Sequence, residues 1–405
     1  MRPALAVAAA AALAYVPSLC GVLQFDDYNI LFRQSWTEVR PLLKLSYFVP
    51  AHHLLNIAFH AMNAALVFLI GEKLFGDRRA ALIAALLFAL HPAQTEAVTY
   101  VSGRSVSMMA TFYLGSMLAY LRGRRALSLP LFLLAAATRE TAVTLPAALL
   151  LCEACRPGAF SYQEVLRRQW AHWALLAAIA AFLLLNPRYF HLLTYGYAER
   201  SLGDNLISQV GGVSYLALRL VSLHGYNIDP ALPTLVEWSP AVVLQALLLA
   251  SLLLIGTANL RARPWIAFGI LWFFLQLAPT NSIVPRLDVA NDRQLYLASW
   301  GLFLALSIQL RNLPNVVPVL LIILFTAASI LRQWDYRSEI VLWESSVALS
   351  PWNARGHNNL GYAYQAAGRV EEARREYETA LFLDPSNQKA RFNLLFLPRE
   401  NVKKP

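Results

Sequence analysis

Residues 3–23 read PALAVAAAAALAYVPSLCGVL, and Gln24-Phe25-Asp26-Asp27-Tyr28-Asn29 follows at once. The apolar run has the length of a bilayer crossing, at about 20 residues per span. An adjacent carboxylate pair at the membrane surface is costly and marks a functional candidate. Of the 405 residues, 58% are hydrophobic and 14% are charged, whereas a soluble domain carries about 25% charged residues. The expected fold class is therefore all-α, a polytopic helical membrane protein. Met1-Arg2 and the alanine-rich start also fit a secretory leader, but the run continues through Val16 to Leu23, longer than a leader core. An uncleaved first span is expected.

Working outward, further apolar segments lie at about 53–72, 80–92, 104–121, 126–138, 141–155, 170–186, 240–258, 264–280, 294–310 and 316–331, which with the first makes eleven expected transmembrane helices. Basic clusters at Arg78-Arg79, Arg122 with Arg124-Arg125, Arg156 with Arg167-Arg168, Arg261 with Arg263, and Arg311 mark the cytoplasmic side if Arg2 is also inside. The segment 206–227, broken by Gly211-Gly212, Arg219 and His224, reads as an interfacial or re-entrant helix. An odd count puts the N-terminus in the cytoplasm and everything after Leu331 on the opposite face. The net charge of +10 fits this orientation, and no basic stripe interleaved with aromatics points to nucleic acid. Cys152 and Cys155 have CxxC spacing without a second pair and read, like Cys20, as inert thiols.

Of the 58 charged side chains, 20 fall after Leu331. The expected domains are thus 1–331 in the membrane and 332–405 outside it. With Ala354 as the first position, Leu360, Gly361, Tyr364, Ala373, Tyr377, Ala380 and Pro385 take the spacings of a tetratricopeptide repeat, and His357 stands where Trp is common. Gly361 and Ala373 let two helices close together over Tyr364 and Tyr377. Residues 338–350 read as the second helix of a preceding repeat, and 388–396 as the first helix of a following one. The stack reads equally as a structural cap or as a dock for an acceptor protein.

The external face then collects Asp26, Asp27, Arg33, Glu38, Arg40 and Lys44 from the first loop, and His91, Gln94, Glu96, Ser102 and Arg104 from the second. Arg139 and Glu140 come from the third, and Asp288 to Arg293 from the loop 281–293. A carboxylate pair, a second acidic site and several guanidinium groups at one surface suit glycosyl transfer from a polyprenyl-phosphate sugar. An Asp takes the proton of the attacking hydroxyl, and fixed guanidinium groups stabilise the departing lipid phosphate. No cofactor is required; Asp26, Asp27, His91 and Glu96 could ligate a divalent metal, but nothing in their spacing demands one.

The chain resembles the GT-C membrane glycosyltransferases, and within them the transmembrane and tetratricopeptide-repeat O-mannosyltransferases with their bacterial relatives. The matching strings are Phe25-Asp26-Asp27; Arg40-Pro41-Leu42 with Leu45-Ser46-Tyr47; His53-Leu54-Leu55-Asn56 with His60; His91-Pro92 with Thr95-Glu96-Ala97-Val98; Ser102-Gly103-Arg104; Arg139-Glu140-Thr141; and Asp292-Arg293-Gln294-Leu295-Tyr296-Leu297. The resemblance implies an inverting transfer of a hexose, mannose first, from the polyprenyl-phosphate donor to Ser or Thr hydroxyls of an exported protein. It makes Asp26 the base, with Asp27 supporting the first loop. Glu96 and His91 then line the acceptor or sugar side with Arg40, His53, Glu140 and Asp292, while Arg104, Arg139 and Arg293 bind the donor phosphate. Asp292 stands where relatives have Glu, and Arg139 where Lys is common, which changes reach and geometry.

Each residue also has a plainer reading. Asp26 and Asp27 could cap a helix, His53 and His60 could pack between helices, and Arg40 could anchor in the headgroups. Glu96 could stabilise a helix N-terminus, and Arg139 with Glu140 could form a structural ion pair. Transfer to a lipid or glycan is the alternative within the enzyme class. A transporter or scaffold is the competing class, but transporters hold ionisable groups near the midplane on inverted repeats, and here the charges gather at one surface. The expected location is a bacterial inner membrane with the repeats in the periplasm, or alternatively an endoplasmic reticulum membrane with luminal repeats.

Overall fold

The computed structural model describes residues 2–24, 27, 41–49, 51–156 and 161–398. Asp26 and Arg40 lie outside the described residues. Among those described, every regular element is helical. The membrane part runs through α1 (Arg2–Ala14), α2 (Pro41–Tyr47), α3 (His52–Phe75), α4 (Arg78–Leu90), α5 (Thr95–Thr99), α6 (Arg104–Leu121), α7 (Arg125–Thr138) and α8 (Leu145–Cys155). It continues through α9 (Tyr162–Leu185), α10 (Pro187–Glu199), α11 (Leu202–Arg219), α12 (Pro240–Ala258), α13 (Pro264–Leu277), α14 (Leu295–Leu310) and α15 (Val316–Asp335). The C-terminal set is α16 (Glu339–Leu349), α17 (Ala354–Ala366), α18 (Val370–Leu383) and α19 (Gln388–Leu395).

Every apolar segment expected from the sequence is helical, but the count of eleven crossings is not reached. Five helices are long and apolar enough to cross a membrane: Arg2–Cys20, α3, α9, α12 and α15, with a sixth if α4 and Pro92–Thr99, bent by 55°, make one broken span. The reason is length. Helices α7 and α13 have 14 residues each, about 21 Å at 1.5 Å per residue, against a hydrocarbon core of about 30 Å. Helix α6 has 18 residues but carries Arg104 and the polar Ser105, Ser107 and Ser116. The segment read as interfacial became α11, which is not among the candidate spans. Its buried residues, Asn205, Ile207, Ser208, Gln209, Gly212, Val213 and Leu216, mix polar with apolar side chains.

Helix α3 is the hub, with α1 and α4 against one side and α6 against another. Alanines make this possible: Ala4, Val7 and Ala11 of α1 are buried with Ala64, Val67 and Phe68 of α3, since small residues let helix backbones approach. By contrast α9 and α12 are 11% buried over their spanning windows, against 50% for α3, so they are the outer, lipid-facing helices. Asp77 starts α4 by accepting from the Ala80 N–H at 2.8 Å, and it pairs with Arg311. Arg79 donates to the Leu313 carbonyl at 3.1 Å, so this end of the bundle holds the Arg78, Arg79 and Arg311 turns together. At the opposite end Ser18 bonds Thr99 at 2.8 Å and Gln333 at 2.9 Å.

Two glycines set the closest helix contact. A Cβ on Gly269 would meet the Gly301 carbonyl at 2.8 Å, and one on Gly301 would meet Trp272 at 2.7 Å, so α13 and α14 touch backbone to backbone. The Trp272 indole N–H donates across to the Leu297 carbonyl at 2.8 Å. In the C-terminal set Gly361 lies under the Tyr377 ring, 2.7 Å from where a Cβ would sit, and Trp343, Leu360, Tyr364, Ala373 and Tyr377 form its core. The helices α16 and α19 complete the stack on either side, as the spacing predicts.

Replacing Gly301 with Val is expected to lower stability by roughly 1–3 kcal/mol through overpacking. Gly115→Ala, whose Cβ would meet only Leu131 at 3.5 Å, is expected to be neutral or mildly stabilising. Denaturant unfolding in detergent checks both.

Candidate functional site

The site is built on a break in one helix. Helix α4 stops at Leu90; His91 is extended, with φ −72° and ψ 136°, and Pro92 has no N–H to continue the ladder. The chain turns through Pro92–Gln94 into α5, then through Val101–Gly103 into α6. His91 itself fastens this turn. Its Nδ1 accepts from the Ala93 N–H and its Nε2 bonds the Leu220 carbonyl, both at 3.2 Å, while Phe325 meets the ring edge-on at 4.4 Å. A Cβ on residue 103 would lie 2.5 Å from the Glu96 carbonyl, so glycine is what lets the chain double back over α5.

The turn delivers three charged or polar groups. Glu96, 5% exposed, accepts from the Arg293 backbone N–H at 3.1 Å and lies 3.7 Å from its guanidinium. Ser102 donates to the Asp27 carboxylate from its N–H at 2.7 Å and its hydroxyl at 2.5 Å, and the Gln24 N–H adds a third bond at 3.0 Å. Arg104 is 0% exposed, and its guanidinium donates to Asn56 Oδ1 at 2.7 Å and to the Ser46 and His52 carbonyls at 2.8 and 2.9 Å. Tyr47 lies beneath it at 4.7 Å. Arg104 thus ties α2 and α3 to the turn, and these contacts give it a positioning place rather than one open to a lipid phosphate.

Asp292 is held from the other side. Its carboxylate accepts from the Tyr215 hydroxyl at 2.9 Å and from the Asn227 N–H at 2.8 Å, and burial pushes its pKa up from 3.8 to about 6. A capping box of Asn291 and Gln294 starts the turn that carries it. Arg139 donates to the Ser105 hydroxyl at 2.9 Å. Arg139 and Arg293 face one small cavity together with Gln276, Val106, Met109 and Leu297. Among the described residues the buried Arg293 Nε has no hydrogen-bond partner.

The structure thus brings Glu96, Arg139, Asp292 and Arg293 together, with Asp27 and Arg104 joined to them through residues 101–104. Glu140 is placed differently: it accepts from the Tyr189 hydroxyl at 3.1 Å and lies 3.8 Å from Arg286. His53 rests against Gly21, and His91 faces α11 and α15. Residues that sequence reasoning passed over are Tyr215, Asn227 and Gln276; their only signal was a polar side chain inside or beside an apolar segment. Among the described residues no group of three or more His, Cys, Asp or Glu converges to hold a metal ion, and Cys20, Cys152 and Cys155 are free.

Residues 354–387 match the tetratricopeptide repeat family. The chain is 25% identical over 365 residues to protein O-mannosyl-transferase F38B6.6 of Caenorhabditis elegans, covering 83% of this chain and 51% of that protein. It is 25% identical over 440 residues to mouse protein O-mannosyl-transferase TMTC3, covering 90% and 45%, and 25% identical over 399 residues to human TMTC4, covering 80% and 54%.

The chain is a homologue of the protein O-mannosyl-transferases.

It spans about half the length of the curated relatives it matches. No solved structure matches it. At 80–90% of the chain, the match takes in most of the membrane bundle.

Two outcomes follow from the burial of its carboxylates. Asp27→Ala leaves the Ser102 and Gln24 N–H groups without their acceptor, at an expected cost of roughly 1–3 kcal/mol, measurable by denaturant unfolding. Asp292 holds its proton more tightly in the fold than in the unfolded chain, so its contribution is present below pH 3.8 and lost as pH rises through about 6. Asp292→Asn should remove that slope from the pH dependence of unfolding.

Proposed function

We propose that this protein is an inverting, GT-C-type glycosyltransferase that moves a hexose, mannose first, from a polyprenyl-phosphate donor to Ser or Thr hydroxyls of an exported protein. The observation that carries the reading is the pairing of Arg139 and Arg293 on one small cavity, lined mostly by polar residues and in part by Val106, Met109 and Leu297, beside the buried Glu96. A lipid phosphate needs this combination: guanidinium groups for the charge that builds as the bond to the anomeric carbon breaks, and aliphatic side chains for the first prenyl units. The homology to protein O-mannosyl-transferases supports mannose and a protein acceptor.

In this reading the acceptor hydroxyl attacks the anomeric carbon from the face opposite the phosphate, and Asp26 takes its proton. Asp27 holds the root of the first loop against Ser102. Glu96 keeps the Arg293 backbone and guanidinium in place, and Asp292 braces the same turn. The leaving group is already a stable phosphate anion, so a divalent metal is not needed for its departure. In this reading the short helices complete an odd number of passes, which sets the repeats opposite the N-terminus. The site then faces the periplasm from a bacterial inner membrane, where the repeats present the acceptor.

Purified protein is incubated with polyprenyl-phosphate mannose and candidate acceptors, and added hexose is read by intact mass. Asp26→Asn is expected to lower transfer by about 100-fold or more, and Arg139→Ala and Arg293→Ala by roughly 100-fold each, while EDTA leaves the wild-type rate unchanged. Wild-type-like transfer by Asp26→Asn would remove Asp26 as the base.

A further inference from the structure

The repeat domain is joined to the membrane bundle by far more than the connector after α15. Arg355, in the first turn of α17, forks onto the Asp229 carboxylate with bonds of 2.7 and 2.5 Å and reaches Asp288 at 2.7 Å. The Asn353 amide donates to the Asp229 carbonyl at 3.0 Å, Ser350 to the Pro230 carbonyl at 2.8 Å, and the Trp352 indole to the Ala231 carbonyl at 3.0 Å. Asn227 is bound on both ends of its amide, donating to the Ser346 carbonyl and the Ser350 hydroxyl and accepting from the Ser346 hydroxyl at 2.6 Å. Asn227, Asp229, Ser346, Ser350 and Asn353 are all buried.

The loop so gripped is strained. Ala231 has φ +44°, in the left-handed region that non-glycine residues avoid, so residues 227–231 keep this course because the repeat helices hold it. Both ends of the grip touch the candidate site. The backbone N–H of Asn227 is the one that donates to Asp292, at 2.8 Å. Tyr336, at the start of the connector, accepts from the Gln24 amide at 2.9 Å, and the Gln24 N–H in turn bonds Asp27. Tyr336 also packs with Tyr100 and Leu342 against Ile228.

We propose that the repeat domain is the clasp of the site: through the Arg355 fork on Asp229 and the Asn227 bridge to Ser346 and Ser350, it fixes the loop that orients Asp292, and Asn227 and Asp229 are positioning residues for transfer. This rests on the proposed glycosyl transfer only for what the oriented Asp292 serves. The geometry assigns α16 and α17 a task apart from acceptor docking. The outer surface of α18 and α19, where Phe382 and Phe392 are exposed, stays free for that.

The full chain in detergent is compared as wild type, Asn227→Ala, Asp229→Asn, Arg355→Ala and Arg355→Lys. Two readouts are used: hydrogen exchange by mass spectrometry, and steady-state transfer from polyprenyl-phosphate mannose. The clasp requires that Arg355→Ala and Asp229→Asn speed exchange in both 226–231 and 291–294 by roughly tenfold while α3 and α6 keep their protection. It also requires kcat to fall by about ten- to a hundredfold with donor KM little changed, the double variant to lose no more than either single one, and Arg355→Lys to recover part of the loss. Faster exchange confined to α16–α19 with 291–294 unchanged, or full kcat in Asn227→Ala and Arg355→Ala, would overturn it. If the wild type transfers no sugar, the proposed reaction fails, and the exchange at 291–294 alone decides whether the clasp holds Asp292.

Discussion

A proline that cannot donate a hydrogen bond, at residue 92, is the constraint on which this architecture turns. Had α4 run on, Glu96, Ser102 and Arg104 would point in three directions along one rod. The break after His91 folds them back over the bundle end instead, with α5 at 55° to α4. Glu96 is thereby set against Arg293, Ser102 against Asp27, and Arg104 against the roots of α2 and α3. Three segments distant in the chain are joined by one short stretch, residues 91–104. His91, unable to reach the cavity, serves this by bonding the turn to α11.

The energetics of the bundle end follow from desolvation. A buried carboxylate or guanidinium is tolerated only when its charge is met by donors or acceptors at hydrogen-bond distance. Asp27, Asp292 and Arg104 each meet this with bonds to backbone groups as well as side chains. Backbone partners are fixed by the fold, so these residues cannot relax independently of it. Arg293 differs: Glu96 engages its backbone firmly and its guanidinium loosely, and its Nε has no partner among the described residues. A cation that is held in place yet incompletely satisfied is what an anionic ligand requires.

Much of the membrane helix layout was legible because apolar runs leave a composition signal that does not depend on partners. The repeat was legible for a related reason: Gly361, Ala373 and Tyr377 report a close helix contact through fixed spacing, and that contact is the one observed. What the sequence did not show is how far each run stays straight. Eleven apolar segments suggested eleven crossings, but six of them form helices too short or too polar to qualify individually. The phosphate role of Arg104 comes from the family resemblance; its burial depends on Ser46 of α2 and on His52 and Asn56 of α3, partners that lie about 50 positions away. Asn227 and Asp229 were passed over, since their partners in the repeat domain lie more than 100 positions away.

The glycine contact between α13 and α14 bears on which side of the cavity can give way. Backbones touching through Gly269 and Gly301, with the Trp272 indole tied across to Leu297, cannot slide or splay without losing that contact. The two helices therefore behave as one post, and both feet of the segment 278–294 stand on it. This wall, carrying Gln276, Arg293 and Leu297, is the stationary jaw. Any widening of the cavity falls to the facing jaw, where α6 brings Val106 and Met109 and the turn before α8 brings Arg139.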